Sequence, residues 1–278
     1  MRHRFVVTVA IAAAIAAILA VAQFVEFWQD RLPSEISSSS CSDVHVAWMG
    51  RDGKGAIALM KEGALEFELS ENWAAAICTL ELALDKASAT NDRALQSSIA
   101  RQLASVYLEN KMYNEAEQTL TESLKLTDGN DTVAKLRRAQ ALLQLAEIAD
   151  KTGAIATQRK YLEMARAEQT DEDSGALFRE RLYLAEIDFF ESQGEYDKAI
   201  DSAACLLKSR LEWVSSMPEN VDEGRVRAAR IEYVRLLRLG GYVDVAETVV
   251  EEFEACRNTA CVSTNIPCYS EKTSGRPQ

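Results

Sequence analysis

Apolar and small residues return along this chain at the three- and four-residue steps of a helix. They fall in five blocks of one pattern: an apolar stretch, a short polar break, an aromatic or large apolar residue, a small residue three positions on, then leucine or alanine. The blocks read Trp73-x-x-Ala76-x-x-x-Leu80-x-x-Ala83, Tyr113-x-x-Ala116-x-x-x-Leu120-x-x-Ser123, Ile155-x-x-Gln158-x-x-x-Leu162-x-x-Ala165, Tyr196-x-x-Ala199-x-x-x-Ala203-x-x-Leu206 and, loosely, Tyr242-x-x-Val245-x-x-x-Val249-x-x-Glu252. Upstream of each break two further residues stand three apart: Ala64 and Phe67, Ala104 and Tyr107, Ala146 and Ala149, Ile187 and Phe190, Tyr233 and Leu236. Helices approach closely only where side chains are small, so these pairs mark crossings in antiparallel hairpins. One hairpin cannot bury its apolar face alone and must stack on a copy of itself. The pattern predicts an all-α helical solenoid over residues 56–255, with a non-repetitive helical bundle of coincident alanine spacing as the alternative.

The blocks resemble the tetratricopeptide repeat, most closely in the first two and most weakly in the fifth. The resemblance implies a right-handed α-solenoid of about five helix hairpins that binds proteins along the face made by the first helix of each repeat. Matching positions carry Lys61, Leu65 and Glu68; Arg101, Ser105 and Glu109; Leu143, Glu147 and Asp150; Arg181, Asp188 and Glu191; and Arg227, Arg230, Val234 and Arg238. The proline that ends the family's second helix is absent, with Ser88, Asp128, Thr170 and Leu211 in its place. The repeats recur every 40–46 residues, against about 34 in the family. That longer spacing is similar to variants in some cargo and polarity adaptors. Polar, turn-prone inserts such as Asn91-Asp92 and Asp128-Gly129-Asn130-Asp131 account for it. Gly63-Ala64 lacks the asparagine of the family's chaperone-tail clamp, so no Hsp90-type partner is implied.

The first block of the chain predicts one N-terminal transmembrane helix. Arg2, His3 and Arg4 precede an uncharged run from Phe5 to Val25, whose 21 residues span about 30 Å, the hydrocarbon thickness of a bilayer. Ala20-Val21-Ala22 offers a signal-peptide cut after Ala22, but Phe24, Val25, Phe27 and Trp28 continue the apolar character, which favours an uncleaved signal-anchor over residues 1–28. Basic residues on the N-terminal flank leave that end cytosolic and the repeats exoplasmic, in a periplasm or secretory lumen, with the mitochondrial intermembrane space as the alternative. Residues 29–55, with Pro33, a serine run and three glycines, read as a flexible tether on which Trp48 and Met49 dock against the first repeat.

Composition narrows the partners. A net charge of −12 and few prolines fit an acidic all-α protein and exclude nucleic acid, whose phosphates demand a basic stripe. Cys78 and Cys205 fall inside second helices and read as small buried apolar residues. Cys256, Cys261 and Cys268 lie in the tail, residues 256–278, where one pair closes a disulfide in an oxidising compartment and the third stays free or pairs with Cys41. Their spacing does not suit zinc, the two histidines have no catalytic company, and no phosphate-binding or nucleophile-elbow motif occurs, so no enzyme, metal or cofactor is expected. The expected function is a membrane-tethered scaffold for protein–protein interaction using Lys61, Arg101, Glu109, Glu147, Arg181, Asp188, Arg227, Arg230 and Arg238. The alternative is a structural or assembly subunit of a larger membrane complex.

Overall fold

The protein is described by a computed structural model, over residues 41, 44, 48, 50, 53–169, 176–216, 223–255 and 268. All regular structure among the described residues is α-helical. The chain divides into two compact units, Met1–Leu126 and Thr127–Gln278. The first holds α1 (Lys54–Leu69), α2 (Trp73–Ser88), α3 (Arg93–Glu109) and α4 (Tyr113–Leu126). In it α1 packs on α2, α2 on α3 and α3 on α4. The second holds α5 (Thr132–Lys151), α6 (Ile155–Ala167), α7 (Ala176–Ser192), α8 (Tyr196–Ser216), α9 (Glu223–Leu239) and α10 (Val243–Ala255). Its hairpins are α5/α6, α7/α8 and α9/α10, with α7 against α6 and α9 against α8.

The same three-residue turn closes all five hairpins. Its middle residue, Glu71, Lys111, Gly153, Gly194 or Gly241, has φ of 58, 61, 71, 70 or 86°. The next N–H returns to a carbonyl five residues back: Asn72 to Phe67 at 2.8 Å, Met112 to Tyr107 at 2.9 Å, Ala154 to Ala149 at 2.8 Å, Glu195 to Phe190 at 2.8 Å and Tyr242 to Leu237 at 2.8 Å. This is the Schellman arrangement, which satisfies a helix's last carbonyls and reverses the chain in one step. Side-chain caps then start several helices. Asp92 Oδ1 accepts from Leu95 N at 3.1 Å, and Asp131 Oδ1 accepts from Val133 N and Ala134 N at 3.0 Å each.

Counted from this turn, four hairpins follow the phase read from the sequence and the fifth is displaced by one residue. Its pattern is Val243-x-x-Ala246-x-x-x-Val250-x-x-Phe253, with Val234 and Leu237 upstream. Ala246 is fully buried like Ala76, Ala116 and Ala199, whereas Val245 is half exposed. An aromatic straight after Gly240-Gly241 mimics the opening residue of the other second helices. The left-handed residue is Gly241, which makes Tyr242 the residue before the helix, and its hydroxyl donates to Asp197 Oδ1 at 2.8 Å. Gly240 lies close to α8: a Cβ there would stand 2.9 Å from Ile200 Cδ1, the end of a side chain that would have to shift.

The stretch assigned to a tether is folded where the structure describes it. Cys41, Val44 and Trp48 are helical, and Val44 and Trp48 are buried. Among the described residues no helix is long and apolar enough to cross a membrane. The predicted anchor at residues 5–25, the cut after Ala22 and Met49 lie outside those residues.

The turns make opposite predictions. Glu71 and Lys111 are exposed and carry a side chain in a left-handed conformation. Lys111→Gly is expected to gain about 0.5–1 kcal/mol, because relief of the left-handed penalty exceeds glycine's extra chain entropy. Gly194→Ala, with open space around the new methyl, is expected to lose about 1 kcal/mol from backbone strain alone. Urea midpoints at unchanged m-value report both; a destabilised Lys111→Gly variant would contradict this account of the turn.

Candidate functional site

The first helices of successive hairpins place charged side chains side by side in each unit. In the first unit Lys61 Nζ on α1 donates to Ser98 Oγ on α3 at 3.0 Å. Gln102 Nε2 donates to Glu68 Oε1 at 3.1 Å and to the Lys61 carbonyl at 3.4 Å. Burial, and then the charge of Arg101, hold the Lys61 ammonium below its ordinary pKa. Leu65 is half exposed between these groups in sequence, Arg101 and Ser105 are half-buried, and Glu109 is exposed.

In the second unit α5, α7 and α9 bring carboxylates together. The surface carboxyl of Asp188 is held above the usual range by partial desolvation and by Glu191, Glu232 and Asp150, against the pull of Arg235. Arg235 is the arginine at the centre of this group. Its Nη1 and Nη2 donate to the two Glu191 oxygens at 2.6 Å each, and its Nε and Nη2 donate to Glu232 at 2.9 and 2.5 Å. Those bonds hold the Glu191 carboxyl below the usual range. Glu147 is half-buried on α5 and Arg181 is exposed on α7.

The expected arginine face of the fifth repeat is not assembled. Arg227 is exposed, but the Arg230 guanidinium lies over the Phe253 ring of α10 at 4.8 Å, and Arg238 Nη2 donates to Glu247 Oε1 of α10 at 2.8 Å. Val234, placed on the same face by the sequence, is buried. The one-residue displacement of the repeat explains this, because it turns every assignment by about 100° around the helix. Positions equivalent to Lys61, Leu65 and Glu68 are Ile231, Arg235 and Arg238. Sequence reasoning missed Arg235 and Glu232; counting from the buried Ala246 rather than the aromatic Tyr242 would have found them.

The cysteines also pair differently from the expectation. Cys41 is bonded to Cys78 and Cys205 to Cys268, with Cα–Cα distances of 5.4 and 4.8 Å. Cys78 and Cys205 are buried in α2 and α8 as expected of their helix positions, yet each fixes a flanking segment. Cys268 packs against the apolar cluster of α7 to α10, so it meets a helix distant in sequence rather than its tail neighbours. Cys256 and Cys261 lie outside the described residues. Among the described residues no group of three histidine, cysteine or acidic side chains is placed to hold a metal ion.

No protein-family model matches this chain, and no curated protein matches it. Among solved structures it is similar to the crystal structure of BtubC (BKLC) from P. vanneervenii, at 17% identity and a TM-score of 0.56, over 89% of this chain and 95% of that one. At that identity the likeness shows a shared helical fold alone.

Two measurements check the site. Arg227→Glu is expected to leave the melting temperature nearly unchanged, as an exposed charge contributes little. Arg230→Glu should cost about 1–2 kcal/mol by placing a carboxylate over the Phe253 ring; equal melting of the two variants would contradict the assignment. Peptide mapping without reductant is expected to recover Cys41–Cys78 and Cys205–Cys268 linked fragments, and loss of either bond should cost roughly 2–4 kcal/mol. A fragment linking Cys268 to Cys256 or Cys261 as the main product would overturn the pairing.

Proposed function

We propose that this protein is a membrane-tethered scaffold of the tetratricopeptide type that captures another protein along the first-helix faces of its hairpins. The observation that carries the reading is the group formed by Asp150, Asp188, Glu191, Glu232 and Arg235. Three successive first helices commit side chains to it, its carboxylates outnumber its arginine, and no core packing requires it. Such a surface suits a cationic partner segment, for which carboxylates supply charge-assisted bonds and steering. The membrane tether is residues 5–25, with the repeats exoplasmic. Two disulfides support an oxidising compartment on that side.

A second reading is a structural subunit of a larger membrane complex. The half-exposed Leu239, Val243 and Val245 of the last hairpin favour it, since they offer an apolar edge for lateral packing.

Crosslinking capture from native membranes separates the two. Asp150→Lys with Asp188→Lys is expected to leave melting unchanged or slightly raised, because like-charge crowding is relieved. The same variant should lower recovery of a salt-sensitive partner at least tenfold. Recovery equal to wild type at low and moderate salt would reject the acidic face. Stoichiometric co-purification lost only on Val243→Asp would favour the structural subunit.

A further inference from the structure

The joints between hairpins of the second unit are built from different materials. Hairpins four and five meet through an apolar cluster that includes Leu206, Leu207, Leu211, Val226, Tyr233 and Leu236, with the Arg235–Glu191 pair at its edge. Hairpin three meets hairpin four through α5 and α6 against α7; the buried residues of α6 are Leu162 and Ala165 alone, although α8 buries the whole run from Ser202 to Leu207. What α6 presents instead is two arginines seven residues apart, on one face two turns from each other.

Each arginine makes the same double contact. Arg159 is paired through both Nη atoms with Glu195, and its guanidinium lies 5.0 Å from the Phe189 ring and 5.9 Å from that of Phe190. Arg166 is paired through Nε and Nη2 with Glu186, with Nε 2.6 Å from Oε1, and lies 5.4 Å from the Tyr183 ring. Glu186 is almost wholly buried, and Ser202 Oγ of α8 donates to its Oε2 at 2.9 Å. Gln169 Nε2 completes the seam by donating to the Tyr183 hydroxyl at 2.7 Å.

We propose that this seam is a charge-set hinge, the place where the second unit opens and closes between its third and fourth hairpins. A buried ion pair gains little net free energy, because the attraction in the closed form is offset by the water both ions give up. The cation–π contacts add a modest increment. On opening, the arginines and glutamates recover hydration, which an apolar joint cannot do. The closed form is therefore held by contacts that exchange readily for water and ions, whereas the joint between hairpins four and five holds by area removed from water. Opening changes the spacing of α5 and α7, and with it the distance between Asp150 and Asp188, and it strips α6 of its cover on one side, so that the backbone bonds of α6 open locally while α8 and α9 stay closed.

Native-state hydrogen exchange on the full chain in detergent tests this, comparing α6 with α8 and α9 at 50 and 500 mM sodium chloride. Amides of α6 are expected to exchange at least tenfold faster than those of α8 and α9. They should speed up about threefold with salt, which favours the separated ions, while α8 and α9, held by the apolar cluster, respond less. The apolar replacement Arg166→Met with Glu186→Leu should weaken the salt response and slow α6. Glu186→Gln alone, which deprives Arg166 of its counter-charge, should speed it. Should the buried replacement fail to fold, Arg159→Leu with Glu195→Leu at the more exposed pair carries the same expectation. Equal exchange and equal salt response in α6, α8 and α9 would overturn the hinge. So would a salt response undiminished by the apolar replacement.

Discussion

One backbone hydrogen bond, repeated at five turns, underlies everything else in this protein. A residue in left-handed conformation lets the following N–H reach back five residues, and the helix then has nowhere to continue. The second helix must run antiparallel to the first, and its phase is set by where that turn falls. Burial of Ala76, Ala116, Ala199 and Ala246 at a fixed distance from the turn is the consequence. Where the left-handed residue is glycine the conformation carries little steric penalty. Where it is Glu71 or Lys111 the packing of the hairpin must outweigh the penalty.

Hairpins of this kind do not stand alone, and the ways they are joined differ along the chain. In the first unit the Tyr107 hydroxyl on α3 donates to Glu81 on α2 at 2.6 Å, and Gln96 Nε2 on α3 donates to the Ala87 carbonyl of α2 at 3.2 Å. In the second unit one joint is apolar and the other is made of arginine, glutamate and aromatic rings. Segments outside the repeats are stapled covalently, Cys41 to α2 and Cys268 to α8. Val44 and Trp48, which follow Cys41 in sequence, are buried in the first unit.

This construction leaves the outward faces of the first helices free of core duty, so they carry charge. In the first unit that charge is mixed, with Lys61, Glu68 and Gln102 bonded to neighbours on the adjacent helix. In the second unit it is acidic and organised around Arg235. The guanidinium there serves two carboxylates at once, which lets Glu191 and Glu232 stay close without mutual repulsion. Asp188 lies beside this pair, where partial desolvation and then the charges of Glu191, Glu232 and Asp150 hold its carboxyl above the usual range.

The helical class, the hairpin plan and the phase of four hairpins were legible in the residues, because small side chains at three- and four-residue steps report a property of one helix and its immediate partner. The polar, turn-prone inserts that hold Asp92 and Asp131 were legible for the same reason: they are local. Three features belong to the tertiary structure. The register of the fifth hairpin turns on which of two adjacent glycines takes the left-handed conformation, and in the folded chain it is Gly241. The partners of Cys78 and Cys205 lie 37 and 63 residues away, and spacing along a chain carries no information about which distant segment folds back. The choice of Arg235 over Arg230 as the exposed group follows from that same one-residue register. Five residues along α9, about 140° around it, separate a side chain stacked on Phe253 from one that gathers carboxylates across two helices.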